Sequence, residues 1–151
     1  MLSAEKPTDL VAHVGRKLGT SDWVLVDQAM INAFGAVTGD NSWFHVDPER
    51  ARSDMPGGRT IAHGFLTLSL FARMSATIYQ IRGSRRGVNY GMNRMRFTAP
   101  VPAGSRIRLH QTLKAAEPIA GGVRLTLDCT VEIEHEPRPA MIAEMVVLAL
   151  D

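Results

Sequence analysis

Near the C-terminal end, apolar and polar residues alternate without interruption. Val123, Leu125, Leu127, Cys129, Val131 and Ile133 interleave with Arg124, Thr126, Asp128, Thr130, Glu132 and Glu134. A period of two predicts a strand with one face on a core and the other in water. Before it, Ile107, Leu109 and Leu113 alternate with Arg106, Arg108 and His110, between the breakers Pro100–Gly104 and Gly121-Gly122. After it, Ala140 to Leu150 is apolar at both parities except at Glu144, the pattern of a strand with neighbours on both sides. Val88 to Phe97 also reads as strand, but its apolar parity changes between Met92 and Met95, which predicts a bulge or burial of both faces.

The first half carries helical spacing instead. Leu10, Val11, Val14 and Leu18 predict a short covering helix over Asp9 to Lys17 within residues 1–19, and Trp23 to Val26 a short strand. Asp27 is an N-cap for a helix from Gln28 to about Val37, with Ile31, Phe34 and Val37 as its buried stripe and Gly39 as a left-handed C-cap. Asp47-Pro48-Glu49 has the grammar of another helix start. Met55 to Arg59 is a flexible turn rich in Gly and Pro. From Ala62 to about Ile81, Leu66, Leu70, Met74 and Ile78 recur every four residues. Phe65, Leu68 and Phe71 widen the apolar surface, and Arg73 is the only full charge inside. Such a helix needs to be largely enclosed, and the strands that follow predict a curved antiparallel sheet around it. The expected class is α+β.

Length and composition fit one domain over residues 1–151, long enough to remove roughly 70% of its unfolded-chain surface from water. One cysteine, Cys129, excludes an intrachain disulfide and a Cys-based zinc cluster. The N-terminal residues lack the apolar run of a signal peptide, and His63, Arg73 and many small polar residues interrupt the one stretch near membrane-span length. The expected location is the cytoplasm. A net charge of +2 is too small to argue for nucleic acid. Its distribution is uneven, however. Between Asp54 and Glu117 there are ten Arg or Lys residues and no acid, an attraction for an anionic carrier unless they spread over solvated strand faces.

The candidate chemistry sits where the helices meet. Asp40 and His45, five residues apart between two helix signals, are spaced to converge on one small molecule such as water. A carboxylate is a weak base at neutral pH unless desolvation raises its pKa, and Trp43 and Phe44 offer an apolar wall for that purpose. The bland alternative is ordinary Gly-Asp turn chemistry after a helix. Asp40, His45, Asp47 and His63 are conceivable metal ligands, but no spacing matches a ligand signature, so no metal is expected. No Gly-x-Ser-x-Gly elbow points to a nucleophile. At Ala62-His63-Gly64 a helix N-terminus supplies free N–H groups, and a glycine there either lets a carbonyl approach or permits tight packing.

Four separated motifs, Thr38-Gly39-Asp40-x4-His45-Val46-Asp47-Pro48-Glu49-Arg50-Ala51, Ile61-Ala62-His63-Gly64, Tyr90-Gly91-Met92-Asn93 and Arg96-Phe97-x-Ala99-Pro100-Val101-Pro102-x-Gly104-Ser105, resemble the MaoC-like hydratases in content and order. Within them the chain is most similar to the nodulation-protein-N-like group and its (R)-specific enoyl-CoA hydratases, over residues 20 to 112. The resemblance implies a hot-dog fold, a homodimer with the site near its interface, an acyl-CoA substrate and no cofactor. It implies catalytic roles for Asp40, as base, and His45, which holds the water and helps deliver a proton. It also implies a thioester-binding N–H at Gly64 and a supporting polar group at Ser69. Ser42 and Trp43 stand where the commoner loop Asp-x-Asn-Pro-x-His has Asn and Pro. Dehydration on an acyl carrier protein, thioester hydrolysis, and a non-catalytic subunit of a hetero-oligomer remain as alternatives.

Overall fold

The alternating segments form the expected sheet. In the computed structural model, which describes residues 1–151, β6 (Ser105–Ile119), β7 (Gly122–Ile133) and β8 (Met141–Leu150) lie antiparallel in sequence order, and β5 (Arg86–Phe97) closes the far edge beside β8. On the other edge β6 pairs with two short strands, β2 (Lys17–Thr20) and β3 (Val24–Val26). In-register rows carry one apolar face across the strands: Leu113, Leu127 and Met145 form one row, and Leu109, Val131 and Met141 another. All six side chains are buried, each worth roughly 1.5–3 kcal/mol relative to exposure.

The helical segment lying on this face is shorter than its periodicity predicts. It runs as α4 (Gly64–Ser69) and α5 (Phe71–Ser75) and ends well before Ile81, because Tyr79–Ile81 forms strand β4, parallel to β1 (Leu2–Ala4). The Ser69 hydroxyl donates to the Phe65 carbonyl, competing for the acceptor of the helical ladder at the point where the helix divides. Leu66, Leu70, Met74 and Ile78 are buried as their spacing predicts. Enclosure is one-sided: Phe65 is 65% exposed, and Ser69, Ala72 and Arg73 are exposed with it.

At the N-terminus the expected covering helix is a 3-10 turn over Pro7–His13, and Lys17–Thr20 leaves it to pair with β6. Strand β5 has bulges at Asn89/Gly91 and Met92/Arg94, matching the parity change, and none of its residues is fully buried, although Met95 packs against the core. Five of the ten central basic residues, Arg82, Arg94, Arg106, Arg108 and Lys114, pair with Glu5, Glu144, Glu134 or Glu132. Ion pairing therefore offsets half of the basic run. No helix is long and apolar enough to cross a membrane.

Candidate active site

Three helix ends build the site. Helix α1 (Gln28–Thr38) begins as expected: the Asp27 carboxylate accepts from the Met30 N–H at 2.8 Å. It stops at Gly39, whose φ of 80° is the left-handed C-cap conformation. Ile31 is buried, but Val37 is 81% exposed, so helical spacing overstated the buried stripe. The chain then folds back on the helix over Gly35, where a Cβ would lie 3.0 Å from the Asp40 carbonyl oxygen. Helix α3 (Pro48–Asp54) starts on the Asp47 cap, whose carboxylate accepts from the Arg50 N–H. Between these ends lies a helical turn rather than the expected open loop, α2 (Trp43–Val46), and it carries His45.

His45 is buried, and its orientation is set by a carbonyl that can only accept. Nδ1 donates to the Ile61 oxygen at 2.7 Å, which leaves the Nε2 lone pair free. The Ile61 N–H returns a bond to the Phe44 carbonyl at 3.0 Å, so two bonds tie the turn to the segment leading into α4. Gln28 adds a clamp: its amide N–H donates to the His45 carbonyl at 2.7 Å, and its oxygen accepts from the Thr60 hydroxyl. Burial is the largest influence on the imidazole and pushes its pKa below the usual value.

Asp40 Oδ2 lies 4.0 Å from His45 Nε2. The expectation that an apolar wall would raise the Asp40 pKa is not met, because the carboxylate is half exposed. The Ser42 hydroxyl, bonded to Oδ1 at 2.7 Å, and the Ser42 N–H hold it below the usual carboxylate range. Trp43 packs instead under the Arg50 guanidinium, 4.1 Å from the ring centre.

His63 completes the cluster, so three of the four conceivable metal ligands come together. Its ring stacks on His45 with centroids 3.9 Å apart and 27° between planes, and Nε2 donates to the Asp40 carbonyl at 2.9 Å. Ligand atoms of Asp40, His45 and His63 lie within 4.8 Å of one another. Yet stacked rings aim their in-plane lone pairs side by side, and one nitrogen of each ring already donates to a carbonyl. This donor set suits hydrogen bonding better than convergence on a metal. Asp47 stays outside the cluster, occupied as the α3 cap.

Gly64 opens α4, so its N–H has no acceptor within the helix. It lines a pocket of about 310 Å³ with His45, Thr67, Phe97 and Val101. The glycine has a packing reason as well, since a Cβ there would lie 2.7 Å from the Phe97 ring. Both readings of Gly64 therefore have support. Ser69 is not brought to this pocket. It lines a separate hollow with Phe71, Asn89 and Met92. Thr67, buried, lines the pocket with His45 and Gly64, and its place one turn after Gly64 was the only sequence signal for it.

The MaoC like domain model matches residues 9–131. The 3-hydroxyacyl-thioester dehydratase Z of Mycobacterium tuberculosis is 46% identical over 148 residues, covering 97% of both chains. Nodulation protein N of Rhizobium leguminosarum bv. viciae is 43% identical over 143 residues, covering 93% of this chain and 88% of that one. Among solved structures, the (R)-hydratase from A. caviae involved in PHA biosynthesis superposes with a TM-score of 0.71 at 25% identity, over 89% of this chain and 94% of that one.

Proposed function

Because this chain belongs to the MaoC-like dehydratase family, dehydratases being hydro-lyases, we propose that Asp40 and His45 catalyse reversible hydration of a trans-2-enoyl-CoA to the (R)-3-hydroxyacyl-CoA. One observation carries the reading: a free imidazole lone pair faces a carboxylate across 4.0 Å, beside the pocket that the Gly64 helix start also lines. That gap is too long for a hydrogen bond between them. It suits one water that donates a hydrogen to each at ordinary distance.

As the water oxygen bonds to C3, one of its protons passes to the pair, and charge moves onto the thioester oxygen beside the Gly64 N–H. The pair returns that proton to C2, so the net change is addition of H and OH. Since Ser42 holds the Asp40 carboxylate at low basicity, the proton rests on His45 Nε2 while Asp40 orients the water and stabilises the imidazolium. This shifts the division of roles expected from the sequence, where Asp40 alone was the base. No step needs a metal or redox cofactor.

The test is hydration in ¹⁸O-labelled water with enoyl thioesters on CoA and on an acyl carrier protein. Label on the C3 hydroxyl with the thioester intact supports the reading. Label only in a released carboxylate, with free thiol, makes the chain a thioesterase. Faster turnover on the carrier protein would correct the substrate.

The pH dependence follows from His45. Its pKa is depressed, so the neutral form persists below the usual value of about 6.5. We expect kcat/KM to hold through neutrality and to fall only below about pH 6.5, as the imidazole protonates. An acid limb above pH 7 would contradict a buried neutral His45.

The chain is further taken to work as a homodimer. The exposed apolar side chains Val88, Tyr90, Met92 and Phe97 along the unpaired edge of β5 support this, as does Phe65 beside them. Light scattering should give twice the chain mass, and a monomer at the assay concentration would contradict it.

A further inference from the structure

We propose that His63 is the positioning residue of the catalytic pair: through its ring and its Nε2–H it sets where Asp40, His45 and the Gly64 N–H stand relative to one another. The proposal rests on the reading of Asp40 and His45 given above and adds a residue to it.

His63 touches all three parts of the site. Its Nε2–H donates to the main-chain carbonyl of Asp40, at 2.9 Å. One side of its ring stacks on His45, and Phe34 of α1 packs against it with centroids 5.0 Å apart. Its backbone is the N-cap of α4, where its carbonyl accepts from Leu66 and Thr67, and the next residue is Gly64. His63 as a whole is 3% exposed, and Nδ1 has no hydrogen-bond partner. A residue kept only for packing would not retain a buried, half-satisfied imidazole, since an apolar ring of that size avoids the cost. The donation from Nε2 is what an apolar ring would lack. The Asp40 side chain is half exposed, so this bond, the turn bonds of Ser42 and Thr38 and the close approach of its carbonyl to Gly35 hold it. Losing the bond would let the carboxylate drift from the water, the kind of displacement that costs turnover by about 10².

His63→Phe keeps a stacking ring and removes the donor. His63→Gln removes the ring but can place an N–H where Nε2 was, and His63→Asn reaches only as far as Nδ1. We expect His63→Phe to lower kcat by about 10²-fold with KM within about threefold, and His63→Gln to recover at least tenfold of the loss. If His63→Phe does not fold, the Gln and Asn variants make the same comparison. A His63→Phe kcat within threefold of wild type, or equal losses in Gln and Asn, would overturn the proposal. A second readout does not depend on turnover. The Ser42 main-chain N–H, bonded to the Asp40 carboxylate, should exchange with solvent at least tenfold faster in His63→Phe by NMR and nearly unchanged in His63→Gln. Unchanged exchange in His63→Phe overturns the positioning role, whereas an inactive wild type with the expected exchange rates overturns only the assigned reaction.

Discussion

Asp40→Asn and His45→Gln should each lower kcat on an enoyl thioester by about 10² or more while leaving the fold intact. Asn at position 40 keeps an oxygen for the Ser42 hydroxyl and N–H, so the turn persists, but the negative charge facing His45 is gone. Water then loses one of its two acceptors, and an imidazolium at His45 loses its counter-charge 4.0 Å away. Gln at position 45 can place an amide near where Nε2 was, yet it cannot take a proton. Because the two residues act on one water, the double variant should be little worse than either single one. Losses that multiply instead would mean the two act independently. Steady-state kinetics with a thermal melt on each variant decide between these outcomes.

Gly64→Ala should cost both stability and turnover. The added methyl group would lie 2.7–3.0 Å from three atoms of the Phe97 ring, so the ring must move. Phe97 also meets Phe65 edge-on at 5.9 Å, and that contact would loosen. Overpacking of this size costs roughly 1–3 kcal/mol, and each kcal/mol lowers the melting temperature by about 2–4 °C in a chain of this length. Turnover should fall by about 10² beyond that, because the methyl group and the displaced ring crowd the N–H where the thioester oxygen would bind. Phe97→Leu in the same chain separates the effects: it should restore most of the melting temperature and little of kcat/KM. Recovery of both would make Gly64 a packing residue only.

What was legible in the sequence was written locally. Asp27 and Gly39 bound α1, Asp47 and Pro48 start α3, and the Val123 to Ile133 alternation is β7, because caps and period-two patterns act within a few residues of themselves. What was hidden depends on partners far along the chain. Lys17 joins β2 because Thr112 lies opposite, which overrides a helical spacing of apolar residues nearby. The helix over α4 and α5 ends early where Ser69 takes an acceptor from the ladder and Tyr79 finds β1. At the site, the Asp40 and His45 spacing was readable, and so was the helix start at Gly64. The turn carrying His45, the Gln28 clamp and the His63 stack were not, because they join residues 28, 45, 60, 61 and 63 across three elements. The exposure of Asp40 was misjudged for the same reason, since Trp43 turns toward Arg50.

The most direct measurement is the absorbance of the conjugated enoyl thioester when the purified chain is mixed with crotonyl-CoA. The absorbance should fall to an equilibrium value as 3-hydroxybutyryl-CoA forms, and Asp40→Asn should slow that fall by about 10². No change with short, medium or long enoyl chains would contradict the assignment of Asp40 and His45 as a water-adding pair.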